Sequence, residues 1–175
     1  MNVPFNVEIG CSGNPQPGYI HCDRFFDRSN HADVDVVCDA AVLPFGDGLV
    51  DSVLMFGVFE HFGYFEVQEV LLEVSRVLRE GGSFKFDVPD FNWFLERYLH
   101  PELLEDGRTE EWVLHSLFGW QRHGLDFHRW GWSKRRLEDF LRKPNWNFID
   151  VRFLGRQWRD PESNHLIYEC KKGDG

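Results

Sequence analysis

The strongest constraint on this fold is a series of short apolar runs, each ending at or near a glycine or an acid. Five runs fall in the first ninety residues, at positions 5–9, 19–22, 34–38, 53–58 and 83–88. Short apolar runs bounded by turn residues are typical of strands that are covered on both faces. The pattern therefore predicts a sheet with buried central strands.

The clearest helix lies between the fourth and fifth runs. Its apolar residues recur every three or four positions, at Val67, Val70, Leu71, Val74, Val77 and Leu78. This spacing places them on one face of a helix, and Gly81-Gly82 is predicted to stop that helix as a left-handed cap. A strand, a helix and a strand in this order form a right-handed crossover, so the sheet should be parallel.

The second half has a different pattern. We predict a helix over 91–99, a helix through 110–117 capped by Thr109, a loop over 118–132, and a helix over 135–143 capped by Ser133. Two strands at 147–154 and 165–170 should form an antiparallel hairpin. The predicted fold class is α/β, with residues 1–175 forming a single Rossmann-like domain. Its parts would be a cofactor-binding half (1–90), a helical and loop lid (91–132), and a terminal helix and hairpin (133–175).

Charge and composition narrow the function. The 175 residues contain 19 Lys and Arg against 29 Asp and Glu, a formal net charge of −10. This balance argues against a general nucleic-acid binder, which needs a positive face to attract phosphate. No apolar run reaches the ~20 residues that span a bilayer, and the N-terminus lacks the pattern of a signal peptide. The four cysteines are far apart, so we expect buried, reduced thiols and a cytoplasmic protein.

Ligands of open α/β sheets bind at the carboxyl ends of the strands, where this sequence places glycines and acids. A glycine-containing loop at 10–13 follows the first strand and would let the backbone approach a ligand. Asp23 ends the second strand, where its carboxylate could accept hydrogen bonds from a ribose diol. Asp39 ends the third strand and could accept from an amino group. Each acid alone could be a turn residue, but together they favour a nucleoside-like ligand.

Three segments carry a family resemblance: VEIGCSGNPQPGYIHCD, VCDAAVLPFGDGLVDSVLMFGVFEHF and LLEVSRVLREGGSFKFDVPDF. Their order and spacing resemble the small class I S-adenosylmethionine-dependent methyltransferases, in a type-11-like subgroup often found with glycan and small-metabolite biosynthesis. The resemblance covers residues 5–91 and implies S-adenosylmethionine as the cofactor.

The resemblance also implies roles for individual residues. The loop around the methionine part would comprise Glu8, Gly10, Cys11 and Ser12, with Phe56 and Gly57 beside the methyl group. The nucleoside would be bound by Asp23 at the ribose, by Asp39 and Ala40 at the adenine edge, and by Leu43 against the ring. Glu60 and His61 match the Glu-His pair of the family just beyond the fourth strand.

The glycine loop departs from the family pattern. Ser12 and Asn14 stand where the second and third glycines are usual, and nine residues separate Gly13 from Asp23. The helix after the first strand should therefore be very short or absent, which reduces the positive charge that its N-terminus would supply. These departures leave open a catalytically silent relative that acts through a protein partner.

Acceptor-binding residues are predicted in the aromatic loop at 118–132. The substrate-binding candidates are Glu60, His123, Asp126, Arg129 and Trp130. His61 and His128 are the candidate bases, because imidazole titrates near neutral pH. A Trp-rich local core is the alternative for this loop. The spacing His123-x-x-Asp126-x-His128 also resembles a metal site, but such spacings arise readily by chance, and we predict no metal.

The leading hypothesis is methyl transfer from S-adenosylmethionine to a small-molecule acceptor, such as a sugar or glycan precursor. Neither nucleic acid nor a membrane span is expected.

Overall fold

Seven strands form one mixed sheet in the computed structural model. The structure describes residues 4–11, 15–24, 34–104, 107–156 and 164–174. The strands are β1 Asn6–Ile9, β2 Ile20–Asp23, β3 Val36–Val37, β4 Val50–Met55, β5 Leu78–Pro89, β6 Phe148–Arg156 and β7 His165–Lys172. Their order in the sheet is β3-β2-β1-β4-β5-β7-β6. The first five strands pair in parallel, whereas β7 is antiparallel to both β5 and β6. The predicted α/β fold class with a C-terminal antiparallel pair is confirmed.

In the part of the chain that the structure describes, four α-helices accompany the sheet: α1 Glu66–Val77, α2 Phe91–Leu99, α3 Glu110–Phe118 and α4 Lys134–Leu141. The apolar stripe of α1 is buried in the main core together with β1, β4 and β5. Thr109 caps α3 as predicted, since its side chain accepts a hydrogen bond from the Trp112 amide. Ser133 occupies the N-cap position of α4, but its side chain makes no capping hydrogen bond.

The predicted glycine cap of α1 is wrong. The helix ends at Val77, and Leu78 already has the extended backbone that begins β5. Gly81 has a φ of +69° within that strand, near the point where the register against β4 shifts between Val50 and Ser52. The two glycines therefore accommodate an irregularity at the start of β5.

Other boundaries also differ from the sequence prediction. The strand predicted at 34–38 contains only Val36–Val37, and β4 begins and ends three residues earlier than expected. No helix occurs between β1 and β2 in the residues that are described there. This agrees with the short connection predicted from the sequence.

The strand order creates a crevice between β1 and β4. From β1 the chain continues outward through β2 to β3, and then returns to β4 on the other side of β1. Ligands of open parallel sheets bind at such a reversal, outside the carboxyl ends of the strands. The residues that follow β1 and β4 therefore face a common site.

Arg76 on α1 holds the loop that follows β3. Its guanidinium donates hydrogen bonds to the carboxylates of Glu73 and Asp47 and to the backbone carbonyls of Phe45 and Leu43. Glu73 in turn accepts a 2.6 Å hydrogen bond from the Leu43 amide. This network fixes the loop against the helix.

Replacing Arg76 with alanine should destabilise the protein by about 2–3 kcal/mol, because several charge-assisted hydrogen bonds are lost together. Urea denaturation followed by circular dichroism measures the change. The matched control is Arg152→Ala, which removes an exposed ion pair with Asp150 and should cost less than about 1 kcal/mol. Equal effects of the two substitutions would contradict a special role for Arg76.

The same network predicts a pH dependence. Hydrogen bonds from Arg76 hold the pKa of Glu73 below its usual value of 4.5. The stabilisation is therefore fully present above pH 4.5 and is lost as the pH falls through the lower pKa of the folded state. The free-energy difference between wild type and Arg76→Ala should shrink as the pH falls below about 4.5. A difference that stays constant over this range would contradict the assignment.

Candidate functional site

Gly10 lets the loop after β1 pack closely against the turn after β4. Its φ is +72°, and its amide donates a 2.8 Å hydrogen bond to the Cys22 carbonyl of β2. A Cβ atom added here would lie 2.1 Å from Cγ2 of Val58, far inside van der Waals contact. Both the backbone conformation and the space therefore require glycine, which lets the two strand ends approach each other.

The predicted nucleoside-binding acids lie at the ends of neighbouring strands. Asp23 ends β2, and Asp39 follows β3. The Asp39 carboxylate accepts a 3.0 Å hydrogen bond from the Ala41 amide and lies 3.6 Å from Nε of Arg24. Leu43 and Ala40 beyond it are both buried. Ser12 falls outside the described residues.

Glu8 and Cys11 flank the glycine loop and are buried. Glu8 is 3% exposed, and its Oε2 accepts a 2.6 Å hydrogen bond from the Gln16 amide. The same oxygen lies 3.6 Å from Nε2 of His21 on β2. Glu8 therefore holds the segment that returns from the glycine loop to β2. This contact is additional to the cofactor-binding role that the resemblance implies for Glu8.

Gly57 stands at the open end of β4, directly after Phe56. Its φ is +65°, and no atom lies within 4 Å of the position that a Cβ would occupy. Its amide donates a 2.7 Å hydrogen bond to Oδ1 of Asp87, whose Oδ2 lies 2.9 Å from Nδ1 of His165. Sequence reasoning missed Asp87 and His165. The available signal was the acid inside the apolar run 83–88, since a carboxylate buried in a strand needs a partner.

Three chemistry-bearing side chains come together beyond β4. Glu60, His61 and His128 each offer one ligand atom, and these atoms lie within 4.8 Å of one another. The two imidazole rings pack edge to face with centroids 5.0 Å apart. Nδ1 of His61 lies 3.0 Å from the Phe127 carbonyl oxygen, and Nδ1 of His128 lies 3.0 Å from the Ser116 carbonyl oxygen. The sequence predicted all three residues for the acceptor side, and the structure brings them together.

The electrostatics of this cluster are set by burial. Glu60 is 3% exposed, and its Oε2 has no hydrogen-bond partner among the described residues. Burial raises the pKa of Glu60, and the nearby charge of Asp87 raises it further. Burial, assisted by His61, lowers the pKa of His128 to about 4, so that its imidazole is neutral at pH 7.

A small pocket with room for about one water molecule opens beside the cluster. Its walls are Glu60, Pro89, Phe91, Leu117, His128, Trp130 and Gly131. The loop at 118–132 is held here by backbone hydrogen bonds from His128 to Phe118 and from Arg129 to Glu60. The pocket therefore combines an apolar aromatic wall with one imidazole and one carboxyl group.

The remaining predicted substrate residues lie elsewhere on this loop. His123 is exposed, and Asp126 accepts a 2.7 Å hydrogen bond from Nε of Arg122. Arg129 pairs with Glu66 at the start of α1. His128 lies with Glu60 and His61. Within the described residues, His123, Asp126 and His128 form no cluster, although their spacing in the sequence resembles that of a metal site.

The predicted cofactor-binding residues lie in series along the carboxyl edge of the sheet. Moving outward from the crevice, Gly10, Asp23 and Asp39 follow β1, β2 and β3 in turn. On the other side of Gly10, Gly57 follows β4 and precedes Glu60 and His61 by three and four residues. A ligand lying along this edge would meet the acids at one end and the histidine cluster at the other.

Comparison with known proteins points to one family. Residues 17–86 match the family model described as a methyltransferase domain. No curated protein matches the sequence at a significant level. No helix among the described residues has the length and apolar character needed to cross a membrane.

Solved structures share the whole fold at low sequence identity. A SAM-dependent methyltransferase from Methanosarcina mazei is 17% identical, with a TM-score of 0.64 over 100% of this chain and 95% of its own. A putative methyltransferase of Haloferax volcanii, in complex with the Trm112 activator, is 16% identical, with a TM-score of 0.63 over 99% and 84%. The 1,6-didemethyltoxoflavin-N1-methyltransferase of Burkholderia thailandensis, with its substrate and S-adenosylhomocysteine bound, is 17% identical, with a TM-score of 0.58 over 98% and 72%.

Replacing Gly10 with alanine should destabilise the protein by about 2–5 kcal/mol. The positive φ contributes about 1–2 kcal/mol, and overpacking against Val58 adds about 1–3 kcal/mol. Urea denaturation measures the total. Gly18→Ala is the matched control, because Gly18 has a φ of +83° but open space around its Cβ position. It should show only the backbone cost, and equal losses at the two glycines would contradict the close approach.

Proposed function

We propose that this chain transfers the methyl group of S-adenosylmethionine to a small-molecule acceptor, because residues 17–86 match a methyltransferase-domain model and the fold matches that of solved SAM-dependent methyltransferases. The observation that carries this proposal is the position of the Glu60, His61 and His128 cluster. It lies just beyond β4, whereas the acids predicted to bind the nucleoside end β2 and follow β3. Cys22, Cys38 and Cys170 form no disulfide among the described residues, which supports the predicted cytoplasmic location.

The chain's own residues would hold the cofactor along the carboxyl edge of the sheet. Asp23 would accept hydrogen bonds from the ribose hydroxyls, and the loop at Asp39 and Ala40 would contact the adenine. The backbone at Gly10 and Gly57 would lie against the methionine part, where side chains are absent. When bound, S-adenosylmethionine supplies a methyl group already activated by the positive charge on sulfur.

The acceptor side must orient a nucleophile and remove its proton. A hydroxyl acceptor benefits from a nearby base by about 10²–10⁴-fold. His61 and His128 are the proposed bases, because both rings lie at the edge of the crevice. His128 and Glu60 also line the small pocket beside this cluster, so an acceptor that binds there would contact both side chains.

The pocket walls support an acceptor with a ring. Trp130 and Phe91 offer aromatic surface, and Glu60 offers a hydrogen-bonding carboxyl group. A sugar ring or sugar-containing glycan precursor presents both an apolar face and several hydroxyl groups. This combination favours a hydroxyl-bearing sugar acceptor as the substrate class.

A second candidate function is partner binding without catalysis. Part of the aromatic loop is exposed, with Phe118 at 52%, Trp120 at 50% and Phe127 at 42%. Exposed apolar patches often mark interfaces. One structural neighbour is itself a putative methyltransferase in complex with an activator protein. A protein partner covering this segment would be compatible with either catalysis or its loss.

Calorimetric titration with S-adenosylmethionine and S-adenosylhomocysteine tests the proposed function. We expect micromolar binding of both, weakened about 10–100-fold in Asp23→Ala, because hydrogen bonds to a carboxylate are worth about 1.5–3 kcal/mol. Asp139→Ala on the exposed side of α4 is the matched control and should bind like wild type. No binding of either nucleoside up to millimolar concentration would contradict the enzyme proposal and favour the partner-binding candidate.

A further inference from the structure

We propose that Glu60, His61 and His128 form a binding site for a divalent first-row transition-metal ion of the zinc or iron(II) class. Two imidazoles and one carboxylate form a ligand set that such ions bind readily. The three side chains come from two separate segments, the turn after β4 and the loop at 118–132. Only the fold brings them together.

In both histidines the hydrogen bond made by Nδ1 leaves Nε2 as the atom available to a metal ion. A backbone carbonyl can only accept a hydrogen bond, so the contacts of Nδ1 with the Phe127 and Ser116 carbonyls place the proton on Nδ1. In the neutral rings, Nε2 is then left with a free lone pair. Hydrogen bonds from the second nitrogen to carbonyls typically accompany metal-binding histidines, where they fix the ring and its tautomer. Nε2 of His128 lies 4.0 Å from Oε1 of Glu60.

Glu60 supplies the independent reason to expect a cation. Its side chain is buried, and Oε2 is buried without a hydrogen-bond partner among the described residues. An unpartnered carboxylate in such a place is costly unless a proton or a cation compensates it. The nearby Arg129 does not compensate the Glu60 carboxylate, because its guanidinium pairs with Glu66. The hydrogen bond between Arg129 and Glu60 joins backbone groups, since the Arg129 amide donates to the Glu60 carbonyl.

The spacing is close to that of a metal site and leaves room for a ligand. Zn–N bonds of about 2.0 Å place tetrahedral ligand atoms about 3.3 Å apart. The ligand atoms of the three side chains now lie within 4.8 Å of one another. To reach tetrahedral spacing they would have to approach by up to about 1.5 Å, which small side-chain rotations can supply. Three protein ligands leave a fourth position open, as in catalytic zinc sites. Since Glu60 and His128 line the pocket, that position would be available to an acceptor oxygen.

The consequence for methyl transfer rests on the proposed function. An ion at this site would lower the pKa of a bound acceptor hydroxyl, and the proton would pass to water. The acceptor oxygen would then form its bond to the methyl carbon while the carbon–sulfur bond breaks, with the electron pair remaining on sulfur. The histidines would act as ligands in this case, and the ion would replace them in activating the acceptor.

Metal titration of the chelator-treated protein tests the site directly. We expect one equivalent of Co²⁺ to bind with a visible absorption band, and Zn²⁺ to displace it. Glu60→Gln, His61→Ala and His128→Ala should each weaken Co²⁺ binding at least about 10-fold. The matched control is His100→Ala, which removes one member of an exposed His–Glu pair and should leave metal binding unchanged.

Thermal unfolding provides a second readout that separates lost ligation from lost folding. Zn²⁺ should raise the melting temperature of the wild type and of His100→Ala. Glu60→Gln should be folded without metal, since its amide removes the buried charge, and Zn²⁺ should not stabilise it. Absence of Co²⁺ binding in the wild type, or equal weakening by His100→Ala, would overturn the proposed site. A separate measurement of S-adenosylhomocysteine binding distinguishes the two proposals. If the protein binds S-adenosylhomocysteine but not Co²⁺, the metal site is overturned and the methyltransferase proposal stands.

Discussion

The close contact between Gly10 and Val58 is the constraint on which the candidate site depends. These residues follow β1 and β4, the two strands that flank the reversal in strand order. Any side chain at Gly10 would collide with Val58, and the turn that Val58 begins carries Glu60 and His61. The position of the acceptor-side residues relative to the glycine loop is therefore fixed by backbone packing.

A chain of polar contacts connects this junction to the rest of the carboxyl edge. Gly57 donates to Asp87 at the end of β5, and Asp87 meets His165 at the start of β7. The antiparallel strand at the end of the sequence thus supplies a charge partner for a residue at the centre of the site. On the other flank, Arg76 and Glu73 hold the loop after β3, which carries the predicted adenine contacts. The candidate binding and catalytic residues are in this way attached to strands and helices on both sides of the crevice.

Much of the fold could be predicted from sequence because it depends on local patterns. The stripe on α1 and the apolar runs of β1, β4 and β5 follow directly from periodicity. Gly81 and Gly82 were misassigned because their role depends on the β4–β5 register, which local sequence does not contain. The sequence assigned Glu60, His61 and His128 to the acceptor side, but the direct contact of His128 with the other two was not predictable, since it joins residues more than sixty positions apart. Asp87 was overlooked because its partners lie at Gly57 and His165, on other strands or their ends.

A crystal structure with S-adenosylhomocysteine bound is the most direct test of this site. The ribose should contact Asp23, the methionine part should lie against Gly10 and Gly57, and the sulfur should face the cluster of Glu60, His61 and His128. This arrangement would establish that the cluster adjoins the point of methyl transfer. Binding of the nucleoside elsewhere, or with its sulfur directed away from these three residues, would contradict the assignment of the crevice and its acceptor side.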